Sequence, residues 1–149
     1  MALVKRLGHL RVFALLASKI APPLDRAAYR RTGHTLLTPR ALPTVLLTTT
    51  GRRSGRPRSV PVFGVFDEGR LMVAGTNWGK RREPNWALNL AANPLARVQM
   101  GETSRQYRAR PATDREREQL WPKLEEIWPA YRTYRRRSGR EVSVFVLEP

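Results

Sequence analysis

The residues best suited to chemistry lie in an eleven-residue stretch, Thr48 to Arg58, between two apolar runs. Gly51 and Gly55 let the backbone turn its amide N–H groups toward a bound oxygen, and the threonine and serine hydroxyls add neutral donors. Planar guanidinium groups bind phosphate or carboxylate oxygens in pairs, and the stretch has four, at Arg52, Arg53, Arg56 and Arg58. The pattern predicts a polyanion-binding loop; a solvated, arginine-rich hairpin loop is the alternative.

The spacing differs from the two common phosphate-binding motifs. A P-loop needs a Lys-Ser/Thr pair at the start of a helix, and the dinucleotide turn needs Gly-x-Gly-x-x-Gly. Neither pattern occurs between Thr48 and Arg58. The sequence therefore predicts an anion held by arginine side chains rather than by either of these two motifs.

The charge of the chain also favours an anionic partner. Its 149 residues include 28 Lys and Arg against 12 Asp and Glu, a net charge of +16, and most of the excess lies in residues 1–58. Such a field attracts nucleic acid, an acidic membrane surface or a small polyanion. Genomic bias toward arginine is the alternative explanation for the excess of positive charge.

The length and the 41% hydrophobic content suit one domain with its own core.

Metal and thiol chemistry find little support in the composition. The chain has no cysteine, which excludes disulfides, cysteine-ligated metals and thiol catalysis. Its two histidines, His9 and His34, are too few for a convincing metal site.

The N-terminal segment, residues 3–21, has apolar residues at three- and four-residue spacing, which predicts a helix that ends at Pro22-Pro23. Its longest uncharged apolar run is too short to span a bilayer. Its basic residues suit an anionic membrane surface, whereas packing on the domain or on a partner subunit is the alternative, and a signal peptide is a weaker one. We divide the chain into a basic helix and linker, residues 1–28, and a barrel, residues 29–149, within a single domain.

Six β-rich runs alternate with helical segments in the rest of the chain. Pro84 and Asn93-Pro94 bracket a short helix, on which Trp86 and Leu90 share one face and Asn85 and Asn89 another. A capping-box pattern at residues 113–116 opens a second helix, which Pro122 should bend or interrupt. The pattern predicts an α+β fold, a small barrel or a strongly curled antiparallel sheet.

The order of these motifs resembles the deazaflavin-dependent nitroreductase family, whose members use coenzyme F420. The residues that carry the resemblance are Leu46 to Arg58 with Pro61, Pro84 to Pro94, Ala112-Thr113-Asp114 with Trp121-Pro122, and Trp128 to Tyr134. The match runs from Tyr29 to Pro149. It implies a split β-barrel of the flavin-reductase type, with about six mainly antiparallel strands, helices inserted between them and an N-terminal helix.

The resemblance also implies a set of site residues. Tyr131 and Tyr134 would lie near the substrate as catalytic residues that donate a hydrogen bond or a proton; packing in the core or on the surface is the alternative for both, and packing in the core is the alternative for Trp86. The phosphate and glutamate tail of F420 would contact Arg53 and Arg58. The implied cofactor-binding residues are Gly51, Arg52, Arg53, Ser54, Gly55, Arg58, Pro61, Thr76, Asn77, Trp86 and Asn89.

By the same resemblance, the expected function is hydride transfer from reduced F420 to a small acceptor such as a quinone or a nitro or enone compound. Asn77, Phe63 and Trp128 depart from residues found in some relatives, so nitroimidazole reduction is not assumed. The alternatives are a barrel that binds F420, FMN or haem without catalysis and, less favoured, a basic nucleic-acid-binding module.

The expected partners and location follow from the same interpretation. We expect a small-molecule acceptor, a homodimer and no nucleic acid. We expect the chain in the cytoplasm, either free or attached peripherally to the inner face of the plasma membrane through residues 1–21.

Overall fold

The computed structural model describes residues 23–24, 26–29, 31 and 43–149. The helix predicted over residues 3–21 lies outside the described residues. Residues 23–24, 26–29 and 31 are helical, so the connecting stretch predicted after Pro23 begins with helical structure. Tyr29 attaches this segment to the barrel, because its hydroxyl donates to the carbonyl oxygen of Gln99 at 3.0 Å and accepts a hydrogen bond from the N–H of Gly101 at 3.3 Å.

Six antiparallel strands form a closed barrel in the order β1-β2-β3-β6-β5-β4. This confirms the predicted α+β barrel, and closure leaves the sheet without an unpaired edge. The strands are β1 (Thr44–Thr50), β2 (Pro57–Asp67), β3 (Arg70–Ala74), β4 (Leu95–Met100), β5 (Thr103–Pro111) and β6 (Val144–Glu148).

Three helices and one 3₁₀ turn are inserted between the strands of residues 43–149. They are the 3₁₀ turn Asn77–Gly79, α1 (Asn85–Ala92), α2 (Asp114–Ile127) and α3 (Ala130–Ser138). The capping box is confirmed, since Thr113 accepts from the N–H of Glu116 at 3.3 Å and the Glu116 carboxylate accepts from the N–H of Thr113 at 2.8 Å. Within the described residues, no helix is long and apolar enough to span a membrane.

Pro122 does not interrupt α2, which runs without a break from Asp114 to Ile127. A proline inside a helix removes one backbone hydrogen bond and leaves the carbonyl four residues earlier, here that of Glu118, without its partner. Both Pro122 and Glu118 are exposed, so water can hydrate that carbonyl. The predicted interruption was therefore wrong.

Strand alternation divides the apolar side chains of residues 43–149 between two cores. The first fills the barrel with residues from all six strands, and α1 closes one end of it with Trp86, Ala87 and Leu90. The second lies outside the barrel, where α2 and α3 cover the outer faces of β2, β3 and β6. Strand β2 belongs to both cores, because Val60 and Val62 face inward while Phe63 and Val65 pack under the helices.

Candidate functional site

The loop between β1 and β2, residues 51–56, is closed by its own backbone; we call it, together with Arg58 at the start of β2, the arginine loop. The N–H of Gly51 donates to the Arg56 carbonyl at 2.8 Å, and the N–H of Gly55 donates to the Gly51 carbonyl at 2.7 Å. Gly55 has a φ of 64°, in the left-handed region that favours glycine. A Cβ on Gly51 would lie 2.7 Å from Oγ of Ser54, so a side chain there would displace the Ser54 hydroxyl from its place in the turn.

Asn89 on α1 fastens the arginine loop to the barrel. Its Oδ1 accepts from the backbone N–H of Arg52 at 3.1 Å, and its Nδ2 donates to Oγ1 of Thr49 at 3.0 Å. Asn89 is buried whereas Asn85 is exposed, so the prediction that they share a face separate from Trp86 was wrong for Asn89. Residues three and four apart in a helix lie side by side, and Asn89 lies inward with Trp86.

The arginines of the loop are exposed and have no acidic partner among the described residues. Arg52 uses Nη1 on Oδ1 of Asn89 at 3.4 Å, and Arg58 uses Nη2 on Oγ of Ser54 at 3.4 Å. Within the described part of the chain, the guanidinium groups of Arg53 and Arg56 have no hydrogen-bond or ion-pair partner. Cationic donors in this number, without carboxylates, suit a ligand with several negative charges.

The segment Thr76–Gly79 lies between α1 and α3. A Cβ on Gly75 would be 3.4 Å from Cβ of Ala87, and one on Gly79 would be 3.0 Å from Cα of Tyr134. Thr76 is buried, and Asn77, predicted to contact the cofactor, has a φ of 47° and donates from Nδ2 to the Arg82 carbonyl at 2.8 Å. One of the donors of the Asn77 side chain is therefore already in use within the protein.

Tyr131 and Tyr134 lie in an aromatic cluster on α3, not on an open surface. They are 6% and 3% exposed, and their ring centroids are 6.2 Å apart. Nε1 of Trp128 donates to the Tyr134 hydroxyl at 3.4 Å. Phe63 lies 6.3 Å from the Tyr131 ring and Trp78 lies 6.1 Å from the Tyr134 ring, and these two half-buried residues bring the cluster to the surface.

Burial raises the pKa of both tyrosines above the usual phenol value. For Tyr131, desolvation is the larger cause and the neighbouring Tyr134 adds to it. For Tyr134, desolvation outweighs the hydrogen bond from Trp128 and the charge of Arg137, which lower its pKa. Both side chains are therefore neutral hydrogen-bond donors at neutral pH and weaker acids than a free phenol.

Strand β2 connects the arginine loop to the aromatic cluster. Arg58 and Phe63 are five residues apart, so the strand separates them by about 16 Å. Ser59 and Pro61 lie between them on the outer face that also carries Phe63, and Ser59 shares a 2.9 Å hydrogen bond with Thr48 of β1. Strand β2 thus joins the arginine loop to the aromatic cluster, with the half-buried Pro61 between them.

Trp86 is the predicted residue that lies in the core inside the barrel, whereas Tyr131 and Tyr134 belong to the core under α2 and α3. Trp86 is 9% exposed and its ring lies 6.3 Å from that of Phe145 inside the barrel.

Sequence analysis missed Thr49, whose inward position follows from its two-residue spacing with Val45 and Leu47. It also missed Trp78, which no periodic pattern marks because it lies in a turn at a φ of 59°.

A separate groove of about 910 Å³ lies between α2 and α3 and contains none of the predicted site residues. Trp121 contributes its ring, over which the Arg135 guanidinium lies at 4.1 Å. Arginine and acidic side chains line the groove in similar numbers, so its charges largely balance. This arrangement differs from the uncompensated positive charge of the arginine loop.

Comparison with known proteins identifies the family. The model of a family described as F420H(2)-dependent quinone reductase matches residues 24–149. The chain belongs to this family. A Mycobacterium tuberculosis protein that carries the same description is 30% identical over 108 residues, which cover 72% of this chain and 91% of the relative.

Two solved structures extend the comparison. A structure titled as an F420-H2 dependent reductase, FDR-A, is 36% identical, has a TM-score of 0.65 and covers 71% of this chain and 94% of its own. A second, titled as a domain-swapped dimer, is 32% identical with a TM-score of 0.67 and covers 83% of this chain and 96% of its own. The predicted resemblance to F420-dependent oxidoreductases is confirmed, under the name of quinone reductase.

Family membership makes the chain a deazaflavin-dependent oxidoreductase whose cofactor is coenzyme F420. The arginine loop fits that cofactor chemically. A phosphodiester followed by glutamate carboxylates offers several anionic groups, and the exposed guanidinium groups of Arg53 and Arg56 are without partners among the described residues.

Proposed function

We propose that this chain transfers a hydride from reduced F420 to a quinone, with the phosphate and acidic tail of F420 bound by the arginine loop. The observation that carries the proposal is the arginine loop itself. It has exposed guanidinium groups without carboxylate partners in the described residues, and β2 connects it to a buried aromatic cluster.

Some residues of the arginine loop would contact the ligand, and others would fix the conformation of the loop. Arg53 and Arg58 hold the phosphate and acidic tail in bidentate fashion. Gly51, Ser54 and Gly55 shape the turn, and Asn89 fixes its backbone through the N–H of Arg52.

The deazaflavin ring would lie between the arginine loop and the aromatic cluster. Pro61, Thr76 and Asn77 would line that region, and Trp86 supports α1 from within the barrel. When bound and reduced, the cofactor supplies the hydride, while the protein supplies orientation and excludes water.

Tyr131 and Tyr134 would orient the acceptor. Because burial raises their pKa, hydrogen-bond donation to a carbonyl oxygen suits them better than proton transfer. The reduced acceptor then takes its proton from solvent water.

A flat apolar acceptor fits the aromatic surroundings. Phe63 and Trp128 have ring centroids 6.0 Å apart, and Trp78 borders the same cluster. Aromatic rings pack well against a quinone ring, and the relatives are named for quinone reduction. A nitro or enone compound is the second class of acceptor, and its flat conjugated shape is compatible with the same cluster.

Two further parts of the proposal concern assembly and location. We propose a homodimer, supported by the related structure titled as a domain-swapped dimer. We also propose that the basic segment of residues 1–21 holds the protein on the inner face of the plasma membrane. Vesicle sedimentation of the full chain and of a chain lacking residues 1–21 tests this; equal binding of both contradicts it.

Anaerobic turnover tests the activity. The purified chain is mixed with reduced F420 and either menadione or a nitroaromatic compound, and F420 oxidation is followed by absorbance. We expect quinone-dependent oxidation that is lost in the Arg53→Ala, Arg58→Ala variant. A protein that binds F420 but oxidises it with neither acceptor contradicts catalysis and supports the binding-only alternative.

A further inference from the structure

A half-buried ion pair, Glu83 with Arg140, lies beside the segment of residues 75–79. Glu83 precedes α1 and Arg140 follows α3, and Nη1 of Arg140 bonds Oε1 of Glu83. Oε1 of Glu83 also accepts from Oγ of Ser143 at 2.9 Å. The two side chains are 21% and 15% exposed, so the pair is largely removed from water.

The pair is only partly satisfied. Oε2 of Glu83 and Nε of Arg140 are buried and have no hydrogen-bond partner within the described residues. Buried ion pairs of this kind are poor stabilisers, because desolvation offsets their attraction and apolar replacements often fold as well. A role in geometry explains its presence better than a role in stability.

Through Arg140, the ion pair holds the backbone of Gly75, the residue that follows β3; we call this contact the grip. Nη2 of Arg140 donates to the Gly75 carbonyl at 2.7 Å, and the N–H of Gly75 donates to the Ser143 carbonyl at 2.8 Å. A Cβ on Gly75 would lie 3.1 Å from Oε2 of Glu83, so a larger residue there would push the carboxylate away from its present position.

Directly after Gly75 and Thr76, three successive residues have positive φ angles. Asn77, Trp78 and Gly79 have successive φ values of 47°, 59° and 78°, all in the left-handed region. Residues other than glycine adopt this region at a cost, and it persists only where the surroundings fix it. The turn is closed by the N–H of Gly79 on the Thr76 carbonyl at 2.9 Å.

We propose that Glu83 and Arg140 are positioning residues that hold the Gly75 carbonyl and thereby fix the turn Asn77–Gly79. The turn would present Thr76 and Asn77 to the deazaflavin and set Trp78 against Tyr134. The contact of Thr76 and Asn77 with the deazaflavin rests on the proposed function. The inference that Glu83 and Arg140 fix the turn rests only on the contacts that these two residues make.

The test uses a variant that removes the grip and keeps the packing, Glu83→Met with Arg140→Met. Its melting temperature should stay near that of the wild type. In the protein without cofactor, amide exchange at Gly79 and Lys80 should become about tenfold faster or more, because the turn opens more often. F420 affinity, measured by fluorescence titration, should fall by about tenfold because the contact residues are displaced.

Two comparison variants make the result specific. Glu141→Gln removes the charge from the pair that the exposed Glu141 forms with Arg117 at 3.0 Å and should change none of the three readouts. Arg140→Lys keeps a cation beside Glu83 and should restore part of the exchange protection; if the double Met variant fails to fold, Glu83→Gln with Arg140→Met, which also leaves no unpaired charge, is compared with Arg140→Lys instead.

The outcomes separate this inference from the proposed function. Unchanged exchange at Gly79 and Lys80 in a folded variant overturns the grip, whatever F420 does. Faster exchange with unchanged F420 affinity overturns the link to the cofactor. A wild-type chain that fails to bind F420 overturns the proposed function and with it the link to the cofactor. The amide-exchange measurement still tests whether Glu83 and Arg140 fix the turn.

Discussion

Oδ1 of Asn89, on the helix that closes the barrel, accepts a hydrogen bond from the backbone N–H of Arg52 at 3.1 Å. The same side chain donates to Thr49 at 3.0 Å, so one buried amide joins α1, β1 and the arginine loop. The conformation of the loop therefore depends on a residue 37 positions away in the sequence.

The first prediction concerns this amide. Asn89→Ala leaves the Arg52 N–H without its partner and removes the donor from which the Thr49 hydroxyl accepts, which should cost about 1–3 kcal/mol of unfolding free energy. F420 affinity should fall as well, because the loop loses its attachment. Urea unfolding and fluorescence titration measure the two effects. The exposed Asn85 on the same helix gives the control, Asn85→Ala, and a loss no larger than that of the control contradicts the account.

The fold was largely predictable from the sequence, and particular residues explain where prediction ended. Alternation at Val45, Leu47 and Thr49 marks an inward face whatever the partner strand, and Thr113 with Glu116 forms a cap from local contacts alone. Helical spacing assigned Asn89, with Asn85, to a face separate from that of Trp86; its inward position is fixed by hydrogen bonds to Arg52 and Thr49, which are distant in the sequence.

Long-range partners escaped prediction for the same reason. Glu83 and Arg140 are 57 residues apart, and neither has a local pattern that predicts the other. The helical residues before Arg31 were also missed, since their position depends on Tyr29 reaching Gln99 at 3.0 Å. The site residues came from the resemblance rather than from residue spacing, and their roles stay predictions.

The second prediction concerns the Tyr131 hydroxyl. Tyr131→Phe removes a buried donor, so quinone turnover should fall by about 10- to 100-fold while F420 affinity stays the same. Because burial raises the pKa of Tyr131, the wild-type phenol stays protonated below about pH 10 and the loss should be equal from about pH 6 to about pH 9. Rate profiles for both proteins measure this.

Tyr107→Phe is the matched control, since Tyr107 is a buried tyrosine inside the barrel, in the other core. It should leave turnover unchanged. A Tyr131→Phe variant as active as the wild type indicates that Tyr131 only packs in the core.

The third prediction concerns acid stability. Two hydrogen bonds from Arg110, each 2.8 Å long, are the largest cause that lowers the pKa of Glu116 to about 2 from the ordinary 4.5. The stability from this carboxylate is therefore complete above pH 4.5 and is lost as the pH falls toward 2. Glu116→Gln should lower the unfolding free energy at pH 7 by about 1–2 kcal/mol.

The same variant should also show less loss of stability across that acid range. Urea unfolding at a series of pH values measures both effects, with the exposed Glu118→Gln on the same helix as the control. Parallel pH profiles for the wild type and the Glu116→Gln variant would contradict this assignment.

The central claim is that the arginine loop binds F420, and a fluorescence titration of the purified chain tests it most directly. The wild type is compared with an Arg53→Ala, Arg58→Ala variant and with Arg105→Ala, Arg108→Ala, which removes two exposed arginines of β5. We predict saturable binding to the wild type and to the β5 variant, and a loss of about 100-fold or more in the loop variant. Equal F420 affinity of the loop variant and the wild type would contradict the account.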